Sequence, residues 1–163
     1  MIIIGIDPGL SGAIAILQNN KVKSIFDTPV MSEGKKNKRQ LNSAQMVKLI
    51  KSNISDVEET VVVVEHVNAM PGQGVTSMFN FGQTFGAIKG ICAAIGLPIF
   101  FVRPAKWKKH FELINSSKDA SRTKAIEMYP AISDQLSKKK DVNKADAILI
   151  ARYFNDSKSN LKD

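Results

Sequence analysis

The chain has 163 residues, of which 44% are hydrophobic, and this is enough for the core of one ordinary domain. Its formal net charge of +8 favours polyanionic partners, and no apolar run approaches the ~20 residues that span a bilayer, which argues against a membrane protein. The single cysteine, Cys92, cannot form an internal disulfide, and no export signal follows Met1, so the sequence predicts a cytoplasmic protein.

The first part of the chain predicts a run of strands. Three segments have the β-branched or alternating pattern of strands: residues 2–6, 12–18 and 22–27. Asn19 and Asn20 form the turn between the second and third, so the three strands are expected to be antiparallel neighbours. The polar and basic segment 31–40 predicts a loop. Asn42 or Ser43 then caps a helix that extends to about residue 52.

The rest of the chain alternates strands with helices. Buried strands are predicted at 61–64 and 97–102, and helices at 76–95, 104–111, 118–128 and 144–154. Gly96 ends the long helix, and Asn143 caps the last one. Residues 156–163 are expected to be a frayed tail after a domain of residues 1–155. This order of elements predicts an α/β fold in which helices flank a mixed five-stranded sheet.

Three acidic residues stand at the ends of these predicted elements. Asp7 follows the first strand in an Asp-Pro-Gly turn, Glu65 follows four valines, and Asp146 lies one turn into the last helix. Each has an ordinary structural explanation, namely a plain turn, a solvated strand end and helix-dipole stabilisation. Together they indicate a site for Mg²⁺ or Mn²⁺, since clustered carboxylates need a cation and oxygen ligands suit these ions. Zinc is disfavoured, because one cysteine and two histidines form no ligand cluster.

Six segments, in order from about residue 2 to residue 154, resemble the RuvC family of Holliday-junction resolvases, and within it the plastid and phage-type branch. They read IIIGIDPGLSGAIAIL, DTPV, VVVVEHV, RPAKWKKHFEL, SSKDASR and KKKDVNKADAILIA. The resemblance implies an RNase H-like fold and a homodimer that nicks four-way DNA junctions in pairs, using two Mg²⁺ or Mn²⁺ ions and no nucleotide cofactor. It also implies the cytoplasm of a bacterium or of a phage-infected host.

The resemblance also assigns roles to individual residues. Asp7, Glu65 and Asp146 match three family carboxylates, and the fourth falls at Asp141 in the plastid pattern or at Asn143 in the bacterial one. Positions 143 and 146 are about 60° apart on a helix, whereas Asp141 reaches the site only from the loop before it. With Asn143 as the expected N-cap, Asp141 is the preferred metal ligand and catalytic residue. Lys118 matches a catalytic lysine beside the metals; the alternative is an ordinary solvated lysine.

Basic and aromatic residues suggest the DNA-binding surface. The segment from residue 103 to residue 144 contains eleven Lys or Arg and five Asp or Glu, although a basic surface also serves solubility alone. Trp107 and the pair Phe81 and Phe85 are most simply packing residues. The candidates for DNA contact are Gln73, Phe79, Lys35, Lys36, Lys38, Arg39, Lys138, Lys139 and Lys140.

Other functions remain open at the level of sequence. An RNase H-like nuclease that cuts flaps or RNA–DNA hybrids has the same carboxylates, and a non-catalytic junction-binding protein is compatible with asparagine at position 143. Actin-like kinases begin with a similar strand but need a chain more than twice as long and a second phosphate loop. The apolar helix at 76–95 is expected to form the homodimer interface, because it looks too hydrophobic for one buried face.

Overall fold

The computed structural model describes residues 1–34 and 38–159, and its centre is a five-stranded sheet in the order β3-β2-β1-β6-β7. The strands of this sheet are β1 (Ile2–Asp7), β2 (Ala13–Gln18), β3 (Lys21–Asp27), β6 (Thr60–Glu65) and β7 (Ile99–Val102). β1 to β3 are antiparallel neighbours, whereas β1, β6 and β7 run parallel. Asn19 and Asn20 both have positive φ, as the tight turn between β2 and β3 requires. The predicted mixed five-stranded sheet is therefore confirmed.

A small hairpin replaces the loop predicted at 31–40. β4 (Val30–Glu33) pairs antiparallel with β5 (Lys38–Leu41), with Val30 opposite Leu41. The prediction of a loop was wrong here because exposed polar strands lack the alternation that marks a half-buried strand, and backbone hydrogen bonds hold them instead. Lys35 and Lys36 lie outside the described residues.

Five α-helices and two short 3₁₀ helices complete the described part of the chain. The α-helices are α1 (Ser43–Asn53), α2 (Val75–Ile95), α3 (Pro104–His110), α4 (Ala120–Met128) and α5 (Val142–Ser159), and the 3₁₀ helices span Pro130–Leu136 and Lys139–Asp141. Asn42 caps α1 by accepting a hydrogen bond from the Gln45 N–H at 3.0 Å, and Gly96 ends α2 with φ of 83°. Within the described ranges, no helix has the length and apolar character needed to cross a membrane.

Both ends of α5 differ from the prediction. The helix begins at Val142, so Asn143 lies inside its first turn and is not the N-cap. At the other end α5 continues to Ser159, where the sequence pattern predicted an end near residue 154 and a frayed tail. Asp156 accepts a hydrogen bond from Arg152 of the same helix at 2.7 Å and lies 3.0 Å from the His110 ring of α3, and this local and this tertiary contact support the extra turn.

The sheet is buried on both faces. Alternate residues of β1 point to opposite sides: Ile2, Ile4 and Ile6 join the core beneath α1 and α2, whereas Ile3 joins the core beneath α3, α4 and α5. All four isoleucines are at most 3% exposed. A central strand covered on both sides by helices explains the continuous apolar run at the start of the sequence.

One glycine lets α5 lie directly on β1. A Cβ atom added at Gly5 would lie 2.1 Å from the carbonyl oxygen of Ala147 and 2.9 Å from the Cβ of Ala151. The backbones of strand and helix therefore approach more closely than any side chain at residue 5 would permit. This contact sets how α5 lies over the carboxyl end of β1.

We predict that Gly5→Ala lowers the free energy of unfolding by about 1–3 kcal/mol, the usual cost of overpacking a close backbone contact. Urea unfolding of the purified protein measures it. The control is Gln45→Ala, at an exposed position of α1, where helix propensity slightly favours alanine. Equal effects of the two substitutions would contradict the account of the β1–α5 contact.

Candidate active site

The structure brings three of the predicted acidic residues to one edge of the sheet. β1 and β6 are parallel neighbours with Ile6 opposite Val64, so the next residues, Asp7 and Glu65, stand side by side at the carboxyl ends of their strands. α5 crosses β1 at Gly5 and carries Asp146 to the same edge. We call Asp7, Glu65 and Asp146 the carboxylate cluster.

Burial and mutual repulsion disfavour the ionised forms of the carboxyl groups in the carboxylate cluster. Burial raises the pKa of Asp7 to about 8, and the charges of Asp146 and Glu65 add to the effect, while Lys108 opposes it. Burial likewise raises the pKa of Asp146 to about 6, against a hydrogen bond from Ser121. Raised pKa values in neighbouring carboxyls mean that the folded protein stabilises their ionised forms poorly unless a cation joins them.

Glu65 accepts a hydrogen bond from a buried tryptophan. The indole Nε1–H of Trp107 donates a hydrogen bond to Glu65 Oε2 at 2.6 Å. Burial raises the pKa of Glu65, whereas this hydrogen bond and the Lys108 charge lower it. Trp107 is fully buried, as the sequence suggested, but packing is only part of its role. The sequence signal for this role is the position of Trp107, five residues after the end of β7, whose last residue pairs with Glu65.

A polar cleft opens beside Asp146, between α3, α4 and the start of α5. It has a volume of about 420 Å³, and Trp107, Lys108, Leu113, Ser116, Ser117, Lys118, Ser121, Val142, Asn143 and Asp146 line it. We call it the serine–lysine cleft. Lys118, a predicted site residue, lies in its wall and is exposed. Lys108 also lines it and acts on all three acids of the carboxylate cluster, a role that sequence reasoning missed.

The structure does not bring Asp141 to the carboxylate cluster, where the sequence analysis placed it as the preferred fourth ligand. Asp141 is 4% exposed, and its side chain accepts hydrogen bonds from the Lys138 N–H at 2.9 Å and from Lys144 Nζ at 3.2 Å. Burial raises its pKa, but these two hydrogen bonds and the Lys144 charge outweigh burial and hold the pKa below its usual value. Asp141 therefore stabilises the loop before α5.

Asn143, the alternative, lies next to the carboxylate cluster. It lines the serine–lysine cleft with Asp146, three residues further along the same helix. Its Nδ2 donates a hydrogen bond of 2.6 Å to the carbonyl oxygen of Ser11, in the turn that follows Asp7. Asn143 thus connects the start of α5 to the segment that carries the first carboxylate.

The three acids do not converge on one point. Among residues 1–34 and 38–159, no three His, Cys, Asp or Glu side chains are grouped closely enough to hold a metal ion. The members of the carboxylate cluster act on one another electrostatically, as the causes of the raised pKa values show. The cluster therefore has the oxygen donors that Mg²⁺ and Mn²⁺ prefer, in an open arrangement.

The candidate DNA-binding residues in the described part of the chain have exposed side chains. Lys38 and Arg39 are exposed on β5, and Arg39 borders a groove with Leu10, in the turn after Asp7. Lys138, Lys139 and Lys140 are exposed just before α5. Phe79 is 70% exposed in the first turns of α2, so it belongs to the helix and not to the loop before it. Gln73 is exposed, and its Oε1 accepts a hydrogen bond from the Met70 N–H at 3.1 Å.

Comparisons with known proteins agree on the fold. No protein-family model and no curated protein matches the sequence. The architecture is that of the RNase H-like fold, and T. thermophilus RuvC in complex with a Holliday junction substrate matches it with a TM-score of 0.63 at 15% identity, over 98% of this chain and 97% of that one.

Two further structures match with TM-scores of 0.52. One is another Thermus thermophilus RuvC structure, 18% identical over 97% of both chains, and the other is the fowlpox virus Holliday junction resolvase, 15% identical over 96% of this chain and 99% of that one. Similarity at this level of identity establishes the shared fold.

Substitutions of Asp141 and of Asn143 are expected to have opposite effects. Asp141→Asn should lower the free energy of unfolding at pH 7 by about 1 kcal/mol through a weakened cap and leave the Mg²⁺ dependence of activity unchanged. Because the folded pKa of Asp141 is lowered, its contribution is present above the unfolded pKa near 4 and is lost as pH falls through the folded pKa. Asn143→Ala should instead change the Mg²⁺ dependence. Thermal unfolding at several pH values and Mg²⁺ titrations test both, and a reversed pattern would restore Asp141 as the ligand.

Proposed function

We propose that the protein is a metal-dependent endonuclease that resolves four-way (Holliday) DNA junctions by paired phosphodiester hydrolysis. The observation that carries the proposal is the carboxylate cluster, where Asp7, Glu65 and Asp146 lie at one sheet edge and where burial and mutual repulsion raise the pKa of Asp7 to about 8. The fold supports the choice of substrate, since T. thermophilus RuvC, with the same fold, was solved with a Holliday junction substrate. The fowlpox virus protein of this fold is also a Holliday junction resolvase.

The carboxylate cluster is proposed to hold two Mg²⁺ or Mn²⁺ ions. Its donors are carboxylate oxygens, which suit these ions, and the raised pKa values reflect a charge that a cation would neutralise. Repulsion between the carboxylates favours the open arrangement, and the attraction of a cation would draw them together. Bound ions of this kind activate water and stabilise the leaving oxygen in phosphodiester hydrolysis.

Side chains of the serine–lysine cleft are proposed to receive the DNA backbone beside the carboxylate cluster. Lys118 and Lys108 place two cations in its wall, and charge-assisted hydrogen bonds suit phosphate oxygens. Asn143 is proposed for the fourth position near the ions in place of Asp141, because it lines the cleft with Asp146. The hydrogen bond from its Nδ2 to Ser11 leaves Oδ1 to face another partner.

Exposed cations of the β4–β5 hairpin and of the segment before α5 are proposed to bind the arms of the junction. Lys38 and Arg39 lie on the hairpin side, and Lys138 to Lys140 precede α5. Such contacts bind phosphates without reading sequence, which suits recognition of a branched shape. Phe79, with 70% of its surface exposed, is proposed to stack on unpaired bases. Gln73, two residues before α2, is proposed as a second DNA contact.

A homodimer formed through α2 is proposed to make the paired nicks. A four-way junction has near two-fold symmetry, so two active sites related by a two-fold axis are expected. The outer face of α2 carries Gly82, Gly86 and Gly90 at four-residue spacing, all exposed, with free space where a Cβ would stand. Small residues at this spacing let two helices approach closely, which supports the choice of this face.

The first test of the proposed function is Asp7→Asn. We expect a loss of at least about 10³-fold in the rate of junction cleavage, comparable to loss of a central catalytic group, with binding of the junction unchanged or stronger. A panel of labelled four-way junctions, flaps, RNA–DNA hybrids and duplexes, with Mg²⁺ or EDTA, measures cleavage. Preferential cutting of flaps or hybrids by the wild type would favour a different nuclease of this fold, and near wild-type cleavage by Asp7→Asn would refute the metal site.

The expected loss of junction cleavage in Asp7→Asn does not come from unfolding of the variant. Because the pKa of Asp7 is raised to about 8 in the folded protein, its ionisation reduces stability as pH rises from about 4 to about 8 without metal. Asparagine does not ionise, so Asp7→Asn should be at least as stable as the wild type at pH 8 in EDTA. Urea unfolding provides this control.

The dimer prediction concerns the glycine face of α2. Gly86→Leu should weaken self-association by about tenfold or more, since a bulky side chain at a close helix contact costs about 1–3 kcal/mol. Light scattering at micromolar concentration measures the oligomeric state. Ala44→Leu, which adds the same side chain at an exposed position of α1, should leave the dimer intact. A strictly monomeric wild type that still makes paired nicks would overturn the proposal.

A further inference from the structure

Trp107 contacts the carboxylate cluster from the interior of the protein. Its ring is fully buried in the core beneath α3, α4 and α5, together with Val102 and Phe111. From this position its Nε1–H donates to Glu65 Oε2 at 2.6 Å, a short distance typical of a hydrogen bond to a charged acceptor. One member of the carboxylate cluster is therefore connected to a side chain that the surrounding core prevents from moving.

Few residues separate the donor and the acceptor of this hydrogen bond from the paired ends of β6 and β7. Glu65 ends β6 and pairs with Val102, the last residue of β7. α3 begins two residues later at Pro104, whose fixed φ suits the first turn of a helix. Donor and acceptor thus stand on neighbouring elements, with little chain between them to absorb movement.

In the hydrogen bond between Trp107 and Glu65, the indole is always the donor and the carboxylate always the acceptor. An indole N–H only donates, so it occupies one lone-pair site of Glu65 Oε2 and cannot exchange roles with the carboxylate. This hydrogen bond leaves the lone pairs of the other carboxylate oxygen, Oε1, available to a cation. A free glutamate at a strand end would instead rotate between several orientations, and the repulsion from Asp7 would turn it away.

We propose that Trp107 is a positioning residue that orients the Glu65 carboxylate toward a divalent cation at the carboxylate cluster. The inference rests on the metal site of the proposed function. Partners of this kind, which contact a ligand and not the ion, commonly change metal affinity by about 10- to 100-fold when removed. Packing alone would predict an effect on stability without an effect on metal affinity.

The sequence offers a direct probe, because Trp107 is the only tryptophan of the chain. Protein labelled with ¹⁵N-tryptophan has one indole N–H resonance in an NMR spectrum. We expect this resonance to shift on addition of Mg²⁺ and, without metal, to shift on Glu65→Gln, since a neutral amide is a weaker acceptor than a carboxylate. An indole resonance that responds to neither change would overturn the proposal, even if substitutions of Trp107 fail to fold.

The matched variants are Trp107→Phe, which keeps an aromatic ring and removes the donor, and Phe111→Leu, which disturbs the same core without touching Glu65. We expect Trp107→Phe to weaken Mn²⁺ binding by about 10-fold or more, measured by electron paramagnetic resonance of free Mn²⁺. The half-saturating Mg²⁺ concentration for junction cleavage should rise in parallel. Phe111→Leu should lower the unfolding temperature and leave Mn²⁺ affinity within about twofold of the wild type.

The outcomes separate this inference from the proposed function. If the wild type cleaves junctions and Trp107→Phe keeps wild-type Mn²⁺ affinity and Mg²⁺ dependence, the inference is wrong and the function stands. If Trp107→Phe weakens Mn²⁺ binding but the wild type cuts no branched DNA, the function is wrong and the positioning role stands. A wild-type protein that binds no Mn²⁺ would overturn the inference together with the metal site.

Discussion

The contact between the backbones of β1 and α5 determines the geometry of the candidate site. Because Gly5 has no side chain, the carbonyl of Ala147 and the methyl of Ala151 lie where a Cβ would otherwise be. α5 can therefore carry Asp146 over the ends of two parallel strands, where Asp7 and Glu65 already stand side by side. A bulkier residue at position 5 would move the helix and separate the third carboxylate from the other two.

Gathering these carboxylates has an electrostatic cost, which the folded protein offsets only in part. Burial and mutual repulsion raise the pKa of Asp7 to about 8 and that of Asp146 to about 6. Lys108 lies close enough to act on all three acids, and Trp107 holds Glu65 by a hydrogen bond. Both residues come from α3, so one short helix contributes a positive charge and a hydrogen-bond donor to the carboxylate cluster. The remaining charge is what a divalent cation would neutralise.

The region before α5 shows how the choice of the fourth ligand depends on where the helix begins. Spacing in the sequence allowed Asp141 to approach from a loop, provided that Asn143 was the helix cap. In the structure α5 begins one residue before Asn143, and Asp141 is engaged by the Lys138 N–H and Lys144. The helix begins two residues earlier than the sequence pattern predicted, so Asn143 lies in its first turn and Asp141 just before it. Helix boundaries are the least certain part of a pattern, because the competing caps differ little in free energy.

Local patterns in the sequence determined the elements themselves: the β-branched run of β1, the Asn19–Asn20 turn, the stop at Gly96, and the acids that end β1 and β6. They also determined the fold class, since strands and helices in this order pack in few ways. Only the tertiary structure decided what depends on contacts between distant residues, such as the pairing of Trp107 with Glu65 and the reach of Lys108. The polar hairpin of β4 and β5 also became visible only there, because backbone pairing formed it without an apolar pattern. Periodicity records which side of an element is buried, whereas the partner that meets a side chain depends on how the elements are placed in space.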